Sequence, residues 1–183
     1  DNDICDSARG NAEHGGLSAF GREVVGRMNA LGMMVDMSHA AESSFYDALE
    51  LSTAPFVCSH SSSRALCNHP RNLTDDQMKA LAAKGGVAQV TLYHGFLRQE
   101  GEATILDALE HLHHMVSVMG PEHVGIGTDF DGDGGVRGLK DASELIGFTR
   151  ELLRQRYSEQ DLQGIWGGNF LRVMRQVQAS ATL

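Results

Sequence analysis

The chain has 183 residues, of which 42% are hydrophobic and 21% are charged, and this composition is typical of one globular domain. The net charge of −9 disfavours a nucleic-acid partner, and no run approaches the roughly 20 apolar residues of a membrane span. We therefore expect a single domain over residues 1–183 that binds no nucleic acid and contains no transmembrane segment.

Residues 1–16 are polar, rich in glycine and without periodicity, so they predict a loop that contains no secretory signal peptide. Ser18 stands where it caps a helix, and Gly32 follows the last apolar position of that helix. The three cysteines form no CxxC pair, which indicates reduced thiols rather than a disulfide framework. Without a signal peptide or a disulfide pattern, the sequence favours a cytoplasmic location.

After Gly32, short apolar runs alternate with helical patterns. The runs have the length of buried strands and cover residues 33–37, 56–58, 87–92 and 123–128. Helical patterns cover residues 40–51, 74–84, 104–119 and 142–156, and two more begin at residues 158 and 169. This alternation predicts an α/β fold with four parallel strands and right-handed crossovers.

Two of the predicted strands lead into a histidine, His39 after the first and His60 after the second. The C-terminal ends of parallel strands meet at one rim, and neutral imidazole is the commonest metal ligand, so the two residues predict a metal site. For each histidine taken alone, a hydrogen-bonded core or loop residue is the competing interpretation. Two imidazoles do not complete a hydrolytic metal site, which normally has at least three protein ligands.

Arg71 and Asp129 are expected at the same rim. Arg71 is suited to bind a carboxylate through two parallel hydrogen bonds, and an ordinary loop salt bridge is the alternative. Asp129 directly follows the last predicted strand and is suited to proton transfer, while a turn or capping carboxylate is the alternative. Asp36 shares a strand with His39, where it either orients a metal ligand or points away from the site.

The tract HLHH at residues 111–114 is similar to a metal-binding sequence only superficially. It lies inside the predicted helix over residues 104–119. We therefore expect these histidines on a solvated helix face.

Four segments carry a resemblance to a known family. They read GLSAFGREVVGRMNALGMMVDMSH, APFVCSHSSSRALCNHPRNLTDDQ, HVGIGTDFDG and GGNFLRV. These segments and the spacings between them resemble the renal, or membrane, dipeptidase family of zinc metallopeptidases, within the amidohydrolase superfamily. The resemblance extends from about Asn2 to Arg172.

This resemblance implies a (β/α)₈ barrel of the TIM type and the zinc-dependent hydrolysis of dipeptides, in which a metal-activated water attacks the peptide carbonyl. It implies that His39 and His60 bind the second of two zinc ions. It also implies that Arg71 holds the C-terminal carboxylate of the substrate, and that Asp129 handles protons near the bridging water and the amino group of the substrate.

The chain matches only the C-terminal half of such a barrel, a partial barrel of about four βα units plus C-terminal helices. The His-x-Asp pair and the bridging glutamate of the N-terminal half do not occur in it. We therefore expect at most one zinc here, little activity of the isolated chain, and association with an N-terminal half or with further copies of the chain. Two alternatives are a non-catalytic metal-binding barrel fragment and a related amidohydrolase that acts on another carboxylate-bearing amide or a lactone.

Overall fold

The computed structural model describes residues 1–182, in which helices surround a small parallel sheet. The helices are α1 (Ala19–Ala30), α2 (Glu42–Leu51), α3 (Asp75–Ala83), α4 (His94–Leu97), α5 (Ile105–Met119), α6 (Leu145–Arg154), α7 (Glu159–Gln163) and α8 (Asn169–Ala179). The strands are β1 (Val57–Cys58), β2 (Val87–Val90) and β3 (Val124–Ile126). Short 3₁₀ turns cover Pro121–His123 and Ala142–Glu144, and a π-type turn, Gly164–Gly168, joins α7 to α8.

Local capping chemistry places the helix starts where the sequence predicts them. The Ser18 hydroxyl accepts a hydrogen bond from the backbone N–H of Gly21 at 2.9 Å, which satisfies a donor at the start of α1. Thr74 and Gln77 form a reciprocal capping box at the start of α3. Gly32 adopts a positive φ of 67° just after α1, a conformation that glycine accommodates without strain. These helix predictions are confirmed.

The sheet has the order β1-β2-β3, and both strand pairs are parallel. Val57 pairs with Val87 in the first pair, and Ala88 pairs with Val124 in the second. Because all three strands run the same way, their C-terminal ends lie at one edge, and the predicted α/β fold with parallel strands is confirmed. The residues that follow β1 and β3 therefore emerge on the same side of the molecule.

The predicted strand over residues 33–37 is wrong, and residues 1–182 contain three strands rather than four. This segment makes one parallel bridge to β1, between Asp36 and Val57, supported by backbone hydrogen bonds of 3.1 and 2.9 Å. A further ladder bond would need a backbone acceptor for the N–H of Ser59. The carboxylate of Asp36 accepts that N–H instead, at 3.1 Å, so the ladder ends after a single rung.

The main core lies between the sheet and the helices α2, α3, α5 and α6, and its largest side chains include Phe45, Phe56 and Phe148. A second, smaller apolar cluster forms where α8 packs against β1 and β2. Asn169, at the start of α8, donates from its side-chain amide to the carbonyls of Pro121 and Val124, at 2.7 and 2.8 Å, and so ties α8 to the start of β3. Within residues 1–182, no helix combines the length and the hydropathy of a transmembrane segment.

Candidate metal centre

The structure brings the two predicted histidine ligands together. A tight turn over residues 37–40 places His39 at a φ of 75°, and His60 follows the end of β1. Their Nε2 atoms lie 2.8 Å apart, and their rings meet edge to face with centroids 4.9 Å apart. A strained left-handed backbone at a non-glycine residue is typical of functional sites, where the surrounding structure holds it in place.

The spacing of the two ring nitrogens fits a shared metal ion. Zinc binds imidazole nitrogen at about 2.0–2.1 Å in tetrahedral geometry, which sets two such nitrogens about 3.3 Å apart. The observed separation of 2.8 Å needs to open by only about 0.5 Å to reach that value. Residues 1–182 contain no cluster of three or more histidine, cysteine, aspartate or glutamate side chains that could hold a metal. The described residues therefore place no third candidate ligand beside the two imidazoles.

Serine hydroxyls and one carboxylate support the position of His60. The Ser38 hydroxyl accepts the backbone N–H of His60 at 2.9 Å and lies 3.1 Å from the Ser61 hydroxyl. The Ser59 hydroxyl lies 2.7 Å from Nδ1 of His60 and also contacts the Asp36 carboxylate. Asp36 therefore points toward the site, where it contacts Ser59, the residue that is hydrogen-bonded to the imidazole of His60.

Arg71 is buried beside the histidines, with 5% of its surface exposed. It donates from Nη2 to the backbone carbonyl of His60 at 3.3 Å, and its Cζ lies 5.2 Å from the centre of the Phe96 ring. Its Nε has no hydrogen-bond partner within residues 1–182. None of the ion pairs within residues 1–182 involves Arg71. A buried guanidinium with an unused donor is a ready site for an anion.

Asp129 lies in a loop that glycines make possible. Its φ is 58°, and its backbone carbonyl accepts the N–H groups of Gly132 and Gly134 at 2.9 and 2.7 Å. A Cβ on Gly134 would lie 2.4 Å from that carbonyl oxygen, so only glycine permits this close turn. The turn is stabilised through the backbone carbonyl of Asp129, so its side-chain carboxylate is not needed for these hydrogen bonds.

The electrostatics at this rim link all four predicted residues. Burial lowers the pKa of His39 below its ordinary value, the charge of Arg71 and the proximity of His60 lower it further, and the Asp129 carboxylate opposes the shift. Burial likewise lowers the pKa of Arg71, and Asp129 is the largest opposing influence. The lowered pKa of His39 favours the neutral imidazole, which is the form that binds a metal.

The structure corrects the interpretation of His111 on helix α5. Its side chain is buried, with 1% exposed, so the predicted solvated face is wrong for this residue. Its Nδ1 accepts the backbone N–H of Ser63 at 3.0 Å, and its Nε2 bonds the carbonyl of Leu97 at 3.1 Å. Its spacing from Ala108 and Met115, both on the buried stripe of α5, is the signal that indicates burial. His111 therefore ties the loop that carries Arg71 to the helical layer.

The sequence matches the family described as membrane dipeptidase (Peptidase family M19) over residues 1–183. It is 41% identical over 179 residues to an uncharacterized dipeptidase of Schizosaccharomyces pombe, and the aligned region covers 96% of this chain and 43% of the relative. It is 42% identical over 164 residues to dipeptidase 3 of Homo sapiens, and the aligned region covers 89% of this chain and 34% of the relative. The chain thus spans less than half the length of these two curated relatives.

Solved structures share this fold. The probable dipeptidase PvdM from Pseudomonas aeruginosa matches with a TM-score of 0.95 and 30% identity, over 98% of this chain and 61% of that one. A metallo peptidase from Rhodobacter sphaeroides, liganded with a phosphinate mimic of the dipeptide L-Ala-D-Ala, matches with a TM-score of 0.84 and 31% identity. That match covers 88% of this chain and 47% of the bacterial enzyme.

Proposed function

Because the chain belongs to the membrane dipeptidase family, we propose that it forms the C-terminal half of a (β/α)₈ barrel enzyme that hydrolyses dipeptides with zinc. One observation carries this proposal. The Nε2 atoms of His39 and His60 converge to 2.8 Å at the edge of a parallel sheet, beside the buried guanidinium of Arg71. Parallel barrels place their active sites at this C-terminal edge of the strands.

His39 and His60 would hold the metal through their Nε2 atoms. A zinc ion bound there would polarise the peptide carbonyl and lower the pKa of water from 15.7 to about 7. The Ser38 hydroxyl accepts the backbone N–H of His60, and the hydrogen bond between Ser59 and Nδ1 keeps the imidazole in one orientation. A ligand held in place before the metal arrives loses little conformational freedom on binding.

Arg71 would bind the C-terminal carboxylate of the substrate. Its Nε is unused within residues 1–182, and a guanidinium can pair with a carboxylate through two parallel hydrogen bonds. Contact with the Phe96 ring limits the rotation of the guanidinium, so its direction is set before the substrate binds. The substrate class that follows is a small amide with a free carboxylate. The similar metallo peptidase from Rhodobacter sphaeroides is liganded with a phosphinate mimic of the dipeptide L-Ala-D-Ala.

Asp129 would transfer protons at the same rim. It follows β3 closely, and its charge acts on both His39 and Arg71. A carboxylate in this position accepts a proton from the attacking water and delivers it to the leaving amine, or binds the amino group of the substrate. The turn at Gly132 and Gly134 fixes the backbone from which it acts.

His39 and His60 would supply two of the three or more ligands that a catalytic zinc site needs, and the described residues contain no cluster of three. The remaining ligands would come from an N-terminal half or from a further copy of the chain. The outer edge of residues 33–37 makes no ladder with another segment of residues 1–182, and such an edge favours pairing with a further strand. The isolated chain would therefore be inactive or nearly so.

The test is hydrolysis of L-Ala-D-Ala with zinc, by the chain alone and by the chain co-expressed with the N-terminal half of a relative. We expect activity only in the second preparation, and its loss on His39→Ala or His60→Ala. His114→Ala is the matched control, because His114 lies on helix α5 and pairs with Asp75 on α3. Failure of the complemented enzyme to cleave any dipeptide with a free carboxylate would overturn the proposal.

The incomplete ligand set also favours a second candidate function, a non-catalytic metal-binding domain. In that case the complemented preparation stays inactive, while the chain still binds zinc and loses it on His39→Ala or His60→Ala. A related amidohydrolase that acts on a lactone would instead tolerate Arg71→Lys without loss of kcat/KM.

A further inference from the structure

We propose that Asp36 and Ser59 are positioning residues that hold the proton of His60 on Nδ1, so that its Nε2 lone pair faces the metal position before any metal binds. The proposal deepens the proposed function and rests on it for the identity of the metal. The tautomer itself is a property of the chain alone. It follows from two consecutive hydrogen bonds, between Asp36 and Ser59 and between Ser59 and His60.

The Asp36 carboxylate is fixed by the backbone. Its Oδ1 accepts the N–H groups of Ser38 and Ser59, at 3.0 and 3.1 Å. Its Oδ2 lies 2.5 Å from the hydroxyl oxygen of Ser59. Two backbone donors on one oxygen prevent the carboxylate from rotating, so Oδ2 stays directed at Ser59.

The direction of each hydrogen bond follows from the chemistry of its groups. An ionised carboxylate only accepts, so the Ser59 hydroxyl donates its single proton to Asp36. The Ser59 oxygen, 2.7 Å from Nδ1 of His60, is then left only with lone pairs and accepts the Nδ1–H. A neutral imidazole with a proton on Nδ1 has none on Nε2. His60 is therefore set as an Nε2 ligand.

The same argument assigns different tautomers to His39 and His60. The Nε2 atoms of His39 and His60 are 2.8 Å apart, a hydrogen-bond distance at which one of the two donates when no metal lies between them. Since Nε2 of His60 is the acceptor, His39 carries the proton on its own Nε2. His60 is thus prepared for the metal, whereas His39 must move its proton to Nδ1 or release it.

The substitution Asp36→Asn gives a sharp test because the backbone dictates how the amide sits. The two N–H donors at the Oδ1 position require an acceptor, so the amide oxygen takes that place and the NH₂ group faces Ser59. The NH₂ group then donates to the Ser59 oxygen, and the Ser59 hydroxyl donates to Nδ1 of His60. The proton of His60 moves to Nε2, where it blocks the metal position, much as an aspartate-to-asparagine change inverts the tautomer in serine proteases.

The experiment records long-range ¹H–¹⁵N spectra of the metal-free 183-residue chain, with ¹⁵N-labelled histidine, about two pH units above the ordinary imidazole pKa of about 6.5. We expect His60 as the Nδ1–H tautomer in the native chain and as the Nε2–H tautomer in Asp36→Asn. Asp76→Asn is the matched control: it removes the same charge from an exposed carboxylate on helix α3, and it should leave the spectrum of His60 unchanged.

A zinc titration of the same proteins provides the second measurement. Loss of an outer hydrogen-bond partner of a metal ligand typically weakens binding 10–100-fold, and we expect a loss in this range for Asp36→Asn but not for Asp76→Asn. Should Asp36→Asn fail to fold, Ser59→Ala removes the same link and should abolish the pure Nδ1–H signature.

A folded Asp36→Asn or Ser59→Ala chain in which His60 keeps the Nδ1–H tautomer would overturn the inference. The NMR readout involves neither metal nor substrate, so it is independent of the proposed hydrolysis. An inverted tautomer in Asp36→Asn together with a complemented enzyme that cleaves no dipeptide would reject the proposed function and leave the positioning role in place.

Discussion

Replacement of the buried His111 by leucine should destabilise the chain strongly. Leucine has a similar volume and fills the site without a large cavity, but it cannot accept the N–H of Ser63 or bond the carbonyl of Leu97. Each buried backbone group left without a partner costs about 1–3 kcal/mol, so we expect a loss of about 2–6 kcal/mol in the free energy of unfolding. For a domain whose total stability is about 5–15 kcal/mol, this is a large fraction.

Urea unfolding provides the assay, followed by the fluorescence of Trp166, the single tryptophan, which packs near Phe148 in the core. With an m-value of about 2 kcal/mol/M, His111→Leu should lower the midpoint by about 1–3 M. His113→Leu is the matched control, since His113 is only half-buried and bonds the Tyr157 hydroxyl rather than the backbone. An equal or smaller effect of His111→Leu than of His113→Leu would refute the reasoning from unsatisfied backbone groups.

Three further predictions concern pH, substrate and metal. Burial lowers the pKa of His111 in the folded chain, so the unfolded chain takes up the proton first as the pH falls below the ordinary pKa of about 6.5. The urea midpoint should therefore decrease as the pH is lowered below that value. The decrease should be less steep in His111→Leu. Arg71→Lys in the complemented enzyme should lower kcat/KM for dipeptides by about 10- to 150-fold, which is 1.5–3 kcal/mol of lost charge-assisted hydrogen bonding, and a C-terminally amidated substrate should show a much smaller change. His60→Ala should abolish zinc binding to the isolated chain in a calorimetric titration, and retention of native affinity would show that the ion binds elsewhere.

The local elements of this protein are largely readable from its sequence. Helix starts depend on a capping residue and the donors one turn later, and these are sequence neighbours, as at Ser18 and Thr74. The alternation of short apolar runs with amphipathic helices likewise implies a parallel sheet. His39, His60 and Asp129 after predicted strands, with Arg71 in the loop that follows His60, also select the candidate site, because parallel strands deliver such residues to one edge.

Other features depend on groups far apart in the chain. The burial of His111 depends on a loop 48 positions away that supplies the N–H of Ser63. The absent fourth strand depends on a side chain, Asp36, which captures a backbone donor 23 positions later and ends the ladder. A sequence pattern indicates which face of an element a residue lies on, but not which distant donor or acceptor forms a hydrogen bond with it.

The sequence by itself therefore determined the α/β class with parallel strands, the starts of the capped helices and the four residues expected at the rim. Only the tertiary structure decided that the two imidazoles lie 2.8 Å apart, that Arg71 is buried with an unused Nε, and that Asp36 contacts His60 through Ser59. The physical reason is the separation along the chain of the groups that interact. Capping and amphipathicity act within one or two helical turns, whereas the proton positions at a metal site depend on hydrogen bonds between separate strands.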